Sequence, residues 1–478
     1  MPEITGIESE LIESTMRKAH IPGVSIAYRD GKTSTLSTTT IGRTDTRDTP
    51  DTSTVSDVQP DTPFGAASLS KPVFAYLVLK LIDEGKLSRP GESAASGLDR
   101  PLYEILPLKD FFSKHSLKLS EADIEVARSI TPRMLLAHTS GINDHNAQLN
   151  FTPGKEYTYS GMGLFYLQAV VEKATGEELL EVLAQEYVFS KLKMEHSSFV
   201  PPEAPKEKAC AANSLFTTPS DYAVLMNAWM QDKSTIMQEA FEPQISLIKD
   251  NQIFPSGESA KYVDTKVKER LAWGLGLGLE LDETGKAVKA FHTGDMNQFR
   301  AQMALDLEKK SCIVYFSNAD KDLEANGHVL GPLIITPKIP VDYAHTWFYS
   351  KFPFALHIDQ LSEESRFGTR VQGEDKKADS DAVMAVFMSI SVPTPAPSTH
   401  EKREESGASP EVQAGSYAVM GALMPSQSPA ALSTQEIKKQ STEESSRAMV
   451  VEVESPAETD KPSPPSPFKI TPKAPGEC

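Results

Sequence analysis

Apolar residues recur at helical spacing in three segments of the chain. The spacing of three and four positions predicts helices around 73–81, 164–175 and 221–231. The first of these helices is apolar over most of its surface, which predicts that it is a core element rather than a surface helix. The middle of the chain is therefore predicted to be mainly helical.

Strand patterns flank this helical region. Residues 24–28 alternate, Asp30 and Gly31 supply a turn, and residues 33–41 are rich in β-branched side chains, which predicts a hairpin. Strand patterns return late in the chain, at residues 273–281, 287–291, 298–306 and 312–316. We therefore expect an α+β fold of two lobes: an antiparallel sheet built from both termini of the domain and flanked by helices, and an all-helical lobe. The cleft between the lobes would hold the chemistry.

The composition changes towards the end of the chain. Beyond about residue 361 the sequence consists of Pro/Ser-rich, Ser/Glu-rich and charged runs, with few aromatic residues and no sustained period. We expect a single globular domain over 1–354 and a mostly disordered Pro/Ser/Glu-rich tail over 355–478. Two short apolar patches in this tail, 382–390 and 417–424, either bind a protein partner or have no role.

Charge and composition exclude several classes of partner. The formal net charge is −18, which argues against nucleic acid or an anionic membrane as the main partner. No stretch approaches the roughly 18 apolar residues of a membrane helix. The N-terminus lacks the pattern of a secretory signal, so we expect a cytoplasmic protein, with signal-independent secretion left open. Three scattered cysteines and ten histidines without metal-ligand spacing predict neither a disulfide framework, nor a metal, nor a cofactor.

The first candidate site is a serine followed three positions later by a lysine. Ser68 and Lys71 stand at the start of the apolar helix, so their hydroxyl and amine are predicted to share one helix face. A neighbouring neutral amine can take the proton of a serine and turn it into a nucleophile. The alternative is an ordinary helix start with Ser68 or Ser70 as its cap.

Two further clusters carry candidate chemistry. Tyr159 stands directly before the helix over 164–175, where cationic neighbours can make a tyrosine an acid or a base. Its alternative is a half-buried packing residue. His292, Thr293 and Gly294 follow the predicted strand 287–291 and could line a substrate cleft, although a lone histidine is more often a surface or core residue.

In this order, the three clusters resemble the serine beta-lactamase and penicillin-binding-protein superfamily, in its class C beta-lactamase-like, esterase-type branch. That superfamily pairs Ser-x-x-Lys with Lys-Thr-Gly on a late strand. The resemblance covers about residues 6–320 and includes three further segments in the expected order, at 131–142, 189–194 and 217–221. The resemblance implies a beta-lactamase-like fold and a serine hydrolase.

The resemblance also implies a role for each site residue. Ser68 would be the nucleophile, Lys71 its proton acceptor or orienter, and Tyr159 the base that later protonates the leaving group. The backbone N–H groups of Ser68 and Asp295 would form the oxyanion hole. The substrate-binding positions would be Gly161, His292, Thr293 and Gly294.

The sequence departs from the family pattern at two of these positions. Gly161 stands where the Tyr-x-Asn motif has its asparagine, so the amide that contacts the lysine is absent. His292 replaces the lysine of Lys-Thr-Gly and is largely neutral at pH 7, which weakens recognition of a substrate carboxylate. Both changes are typical of esterase and peptidase-like relatives. His138 lies in a loop that is more often structural, and no catalytic role is assigned to it.

The sequence thus predicts a serine hydrolase that forms an acyl-enzyme with a small ester, amide or peptide. A different class of function remains open: a non-catalytic binding protein on the same fold, with the tail recruiting a partner. A narrower alternative is a residual beta-lactamase or a D-aminopeptidase. The identity of the substrate is not encoded in these motifs.

Overall fold

The computed structural model describes residues 4–341, except 5, 8, 45–55, 145, 177–178, 201–208, 248–268, 297 and 319–328. The helices of the described part are α1 (Ser9–Ala19), α2 (Ser70–Asp83), α3 (Leu108–Lys114), α4 (Glu121–Ala127), α5 (Pro132–Leu136), α6 (Gly161–Thr175), α7 (Leu180–Ala184), α8 (Ser190–Leu192), α9 (Pro219–Gln231), α10 (Thr235–Gln238) and α11 (Gly331–Ile334). Its strands are β1 (Gly23–Arg29), β2 (Leu36–Gly42), β3 (Phe64–Gly65), β4 (Phe216–Thr217), β5 (Ile245–Ser246), β6 (Leu271–Trp273), β7 (Gly278–Leu281), β8 (Ala287–Met296), β9 (Phe299–Asp306) and β10 (Ser311–Asn318).

The two ends of the described chain meet in one sheet. Among the described residues, eight strands pair in the order β2-β1-β10-β9-β8-β7-β6-β5, with every neighbouring pair antiparallel. The N-terminal hairpin joins the late strands through β1 and β10, where Ile26 lies opposite Tyr315. This confirms the prediction of an α+β fold whose antiparallel sheet is built from both termini of the domain.

Both faces of the sheet are covered, as β10 demonstrates. Its side chains point alternately to opposite faces, as strand geometry requires. Ile313 and Tyr315 pack in a cluster with residues of α1 and α11, whereas Val314 and Phe316 belong to the larger core shared with the central helices. Every residue of β10 is therefore buried.

Helix α2 is the centre of the larger core. Val73, Phe74, Leu77, Val78 and Leu81 are all fully buried, and nearly every other residue of this helix is buried as well. This confirms the prediction that it is a core element, because a helix that is apolar on all sides must be surrounded by protein. The helix holds the first residues of its N-terminal turn in a fixed position.

Two strand predictions need correction. The segment predicted as one strand over 273–281 is two strands, because the chain turns between Trp273 and Gly278. Gly276 has φ +81° in this turn, and a Cβ there would lie 2.5 Å from the Cβ of Ala75 on α2, so the turn packs directly on the helix. The residues His292-Thr293-Gly294 lie inside β8 rather than after its end, since pairing with β9 continues to Met296.

The prediction of a disordered tail concerns residues 355–478, and the boundary at residue 354 lies with them outside the described residues. In the part of the chain that the structure describes, no helix has the length and apolar character needed to cross a membrane.

Candidate active site

Ser68 and Lys71 are in direct contact. Lys71 Nζ donates a 2.8 Å hydrogen bond to Ser68 Oγ, so the predicted placement on one face is confirmed. Ser68 lies in a short 3-10 turn, Ala67–Leu69, immediately before α2, and is half-buried. Ala67 has φ +47°, an unfavourable conformation for a residue with a Cβ. Lys71 is only 3% exposed, so the amine faces the hydroxyl within a largely desolvated site.

A second partner of Lys71 comes from a distant segment. Lys71 Nζ also donates a 2.7 Å hydrogen bond to the backbone carbonyl of Ala212. The side-chain amide of Gln168 on α6 braces this segment, since it accepts from Ala211 N at 2.9 Å and donates to the carbonyl of Ala209 at 2.9 Å. Sequence reasoning missed Ala212, because every residue has a carbonyl and the side chain carries no signal for this contact.

Ser70 supports the turn that carries Ser68. Its hydroxyl is fully buried, donates to the carbonyl of Ala67 at 2.6 Å and accepts from Leu215 N at 3.0 Å. These two bonds tie the turn to the segment that follows Ala212. The hydroxyl of Ser70 therefore has a structural role, whereas the hydroxyl that contacts Lys71 is that of Ser68.

Tyr159 lies beside the same amine. The Tyr159 side chain is half-buried, and Lys71 Nζ lies 4.9 Å from the centre of its ring, within range of a cation–π interaction. The residue precedes α6, whose N-cap Ser160 accepts from Gly163 N at 2.9 Å. The structure thus brings Ser68, Lys71 and Tyr159 together around one ammonium group.

A carboxylate that the sequence did not point to completes the start of α6. Asp144 accepts hydrogen bonds from Ser160 Oγ at 2.8 Å, Gly161 N at 3.1 Å and Met162 N at 2.9 Å. A negative charge at a helix N-terminus satisfies unpaired N–H groups and interacts favourably with the helix dipole. Gly161, the position of the missing asparagine, is the first residue of α6.

Strand β8 lies against the turn that carries Ser68. A Cβ on Gly294 would lie 2.4 Å from the carbonyl oxygen of Ala66, so only glycine permits this approach. Thr293 is half-buried, whereas the Asp295 side chain is exposed and lies 3.4 Å from Arg300 Nε. The backbone of β8 at 294–295 is therefore held next to the Ser68 turn.

Tyr159 belongs to an aromatic cluster. The cluster is formed by the rings of His138, Tyr157, Tyr159, Trp273 and His292. The ring of Trp273 is at its centre, with ring-centre distances of 5.5 Å to His138, Tyr157 and His292 and 6.1 Å to Tyr159. Trp273 was not predicted as a site residue. Its place at the end of β6 becomes apparent only once the sheet is assembled.

Both histidines of the aromatic cluster are neutral. Burial, followed by the positive charge of Lys71, lowers the pKa of His292 to about 3, and the same two causes hold the pKa of His138 well below its usual value. The Nδ1 atom of His292 lies 2.8 Å from the carbonyl oxygen of Thr293, so Nδ1 carries the proton. His292 Nε2 is then a buried acceptor without a hydrogen-bond partner among the described residues. His292 is only 3% exposed, so its ring is packed within the aromatic cluster.

Comparison of the sequence with models of protein families identifies the family of this chain. The family model described as Beta-lactamase matches residues 9–329. The chain belongs to the beta-lactamase family. The superfamily consists of beta-lactamase-like and penicillin-binding-protein-like serine hydrolases, as the resemblance of the three motif clusters implied.

Individual relatives are distant. An uncharacterised protein of Alkalihalophilus pseudofirmus is 24% identical over 205 residues, 42% of this chain and 54% of that protein. Penicillin-binding protein 4 of Amycolatopsis lactamdurans is 26% identical over 216 residues, 41% of this chain and 49% of that protein. The chain thus matches about half the length of these curated relatives. A mutant of simvastatin synthase from Aspergillus terreus shares the fold, with a TM-score of 0.51, 18% identity, and coverage of 72% of this chain and 99% of that one.

Proposed function

We propose that this protein is a serine hydrolase that cleaves a small ester or amide through an acyl-enzyme on Ser68. The observation that carries the proposal is the 2.8 Å contact between Lys71 Nζ and Ser68 Oγ. An ordinary serine hydroxyl is a weak nucleophile, and a buried amine at hydrogen-bond distance supplies the base that it needs. The centre of the Tyr159 ring lies 4.9 Å from the same amine.

In the acylation step, Ser68 Oγ attacks the carbonyl carbon of the substrate. Its proton passes to Lys71 as Lys71 passes a proton to Tyr159, and Tyr159 protonates the leaving oxygen or nitrogen as that bond breaks. The negative charge on the tetrahedral intermediate is stabilised by the backbone N–H groups of Ser68 and Asp295. Removal of one such donor typically costs about 3–4 kcal/mol in the transition state.

In the deacylation step, water attacks the ester that joins the acyl group to Ser68. Tyr159 takes a proton from this water as it passes its own phenolic proton to Lys71, so that the relay of the acylation step runs in reverse. A proton returns to Ser68 Oγ as the acyl-oxygen bond breaks, so the carboxylic acid leaves and the free enzyme is restored. Lys71 orients both residues and stabilises the charge that develops between them.

The substrate contacts are assigned to the β8 edge and the start of α6. Thr293 and Gly294 lie on β8 next to the turn that carries Ser68, and Gly161 has no side chain where the family pattern has an amide. His292 places a neutral ring where the family pattern has an ammonium group. An uncharged ester or amide therefore suits the site better than a substrate with a carboxylate at this position.

The rival proposal is a non-catalytic binding protein on the same fold. The departures at Gly161 and His292 favour it, because both remove side chains that the family uses on its substrates. The retention of Ser68 and Tyr159, each beside the amine of Lys71, favours the enzyme. A D-aminopeptidase or a residual beta-lactamase would use the same three residues, and release of D-alanine or hydrolysis of nitrocefin would distinguish these narrower activities.

The direct test is covalent labelling of the full chain, followed by intact-mass spectrometry. The wild type is incubated with a fluorophosphonate and with a panel of p-nitrophenyl esters, and we expect one adduct per chain and release of p-nitrophenol. Ser68→Ala should abolish both. Ser113→Ala, which alters an exposed serine of α3, is the matched control and should behave like the wild type. Equal labelling of Ser68→Ala and wild type would refute the proposal.

A further inference from the structure

His138 makes two hydrogen bonds that bracket Tyr159 in the sequence. The backbone carbonyl of His138 accepts from Thr158 N at 2.8 Å, and its ring Nδ1 accepts from Ser160 N at 3.2 Å. The same residue thus holds the backbone on both sides of Tyr159. His138 is 1% exposed and has φ +56°, so its backbone is bent to present carbonyl and ring to the same segment.

The His138 ring also supports the Tyr159 ring. Their ring centres are 4.4 Å apart with an angle of 38° between the planes, whereas the rings of Trp273 and His292 lie 6.1 Å and 6.2 Å from that of Tyr159. Lys71 Nζ lies 4.9 Å from the Tyr159 ring centre. Tyr159 is therefore held by its nearest aromatic neighbour while it contacts the amine.

We propose that His138 is the positioning residue of Tyr159: its carbonyl and Nδ1 fix the backbone at 158 and 160, and its ring supports the phenol beside Lys71. This inference rests on the proposed role of Tyr159 in proton transfer. Among the described residues, the hydrogen bonds of the His138 carbonyl and ring go to the backbone next to Tyr159 and not to Ser68 or Lys71. The inference therefore adds to the site a loop residue that acts through Tyr159.

The protonation state of His138 fits this role. Burial and the charge of Lys71 keep the ring neutral. Because Nδ1 accepts from Ser160 N, the single ring proton is on Nε2. Protonation of Nδ1 would break this bond, so the low proton affinity of the ring preserves the support of Tyr159 at neutral pH. Positioning errors of about 1 Å cost roughly 100-fold in rate, which sets the size of the expected effect.

The test compares two substitutions that tolerate the left-handed backbone. His138→Asn keeps an acceptor near the position of Nδ1 but removes the ring, and His138→Gly removes both. Single-turnover acylation and deacylation by a p-nitrophenyl ester are followed by intact-mass spectrometry. We expect His138→Gly to lose about 100-fold in deacylation rate and His138→Asn to recover about tenfold of that loss, with little change in the substrate concentration for half-maximal rate.

A double-mutant cycle with Tyr159→Phe separates positioning from general structural damage. If His138 acts through Tyr159, its substitution costs little once the phenol is absent. The same loss in the Tyr159→Phe background as in wild type would overturn the proposal, as would a wild-type rate in His138→Gly. If His138→Gly does not fold, the cycle with His138→Asn decides alone. Lys193→Gly, at an exposed left-handed position with φ +57°, should leave the rates unchanged. Labelling that survives Ser68→Ala would instead refute the proposed function itself.

Discussion

The carbonyl oxygen of Ala212 accepts a 2.7 Å hydrogen bond from Lys71 Nζ, although the two residues are 141 positions apart in the chain. Together with the bond to Ser68, it uses two of the three N–H donors of the ammonium group. The resemblance implied that an asparagine at position 161 would contact this lysine, and that side chain is absent. The backbone carbonyl of Ala212, which follows the residues that Gln168 binds, is an oxygen partner of the amine here.

Lys71→Ala should inactivate the protein almost as completely as Ser68→Ala. The two residues act as a unit, so the loss for the double variant should be close to that of either single one rather than their product. We expect a fall in kcat/KM on the order of 10³-fold or more for p-nitrophenyl esters. Lys109→Ala, at an exposed position of α3, is the matched control. Retention of more than about a tenth of the wild-type kcat/KM by Lys71→Ala would contradict the assigned role.

Gly294→Ala should separate β8 from the turn that carries Ser68. The added Cβ would meet the carbonyl oxygen of Ala66 at 2.4 Å, and neither backbone segment can yield as a flexible side chain would. We expect the free energy of unfolding to fall by about 1–3 kcal/mol. The acylation rate of the folded variant should also fall steeply, because the turn that carries Ser68 is displaced from β8. Urea unfolding and single-turnover acylation measure the two effects.

The control for that substitution is Gly285→Ala, since a Cβ at Gly285 meets nothing within 4 Å although φ is +85°. It should cost about 1 kcal/mol of stability from backbone strain and leave acylation unchanged. Wild-type acylation by a folded Gly294→Ala variant would show that the close approach of β8 has no part in the reaction.

Stability should fall as the pH drops below about 6.5. The folded protein keeps His292 neutral down to a pKa of about 3, whereas the unfolded chain binds that proton near its ordinary pKa of about 6.5. Between these two pKa values the unfolded state therefore binds more protons than the folded state. The free energy of unfolding is highest above about pH 6.5 and decreases as the pH falls towards about 3. The slope is up to about 1.4 kcal/mol per pH unit for one such group.

His292→Gln should flatten this dependence between about pH 6.5 and pH 5, where His292 changes charge in the unfolded chain but the carboxylates remain ionised. Urea titrations across this range measure it. His138 contributes with the same sign, so a residual slope is expected in the variant. A variant slope as steep as that of wild type would contradict the burial argument.

Substrates without a carboxylate should be preferred. His292 is neutral where the family pattern places a lysine, so the site lacks that charge for a carboxylate. A charge-assisted hydrogen bond is worth about 1.5–3 kcal/mol, which corresponds to roughly a 10- to 150-fold difference in kcat/KM. Matched p-nitrophenyl esters with and without a terminal carboxylate provide the comparison, and nitrocefin should be a weak substrate. A kcat/KM that is higher for the carboxylate ester would refute this assignment.

Local patterns were sufficient for the elements that depend on neighbouring residues. The apolar spacing predicted α2, α6 and α9, and alternation predicted the hairpin of β1 and β2 together with β9 and β10. The errors lie where a glycine changes the chain direction or where pairing continues past a motif. Gly276 ends the alternation of 273–281 with a turn, and β9 extends β8 through His292 and Gly294.

The sequence by itself determined the Ser68–Lys71 pair, the order of the motifs and hence the family, because these depend on spacing within a helix and on the order of segments. Only the tertiary structure decided which groups surround the pair. Ala212, Asp144, Trp273 and His138 reach the site through chain folding. Their contacts are hydrogen bonds with the backbone, a carboxylate at the start of α6, and ring packing, none of which leaves a local pattern in the sequence. The physical reason is that local periodicity reports which face of an element is buried, whereas the partner on that face is set by chain folding over separations that range from 16 residues for Asp144 and Ser160 to 141 residues for Lys71 and Ala212.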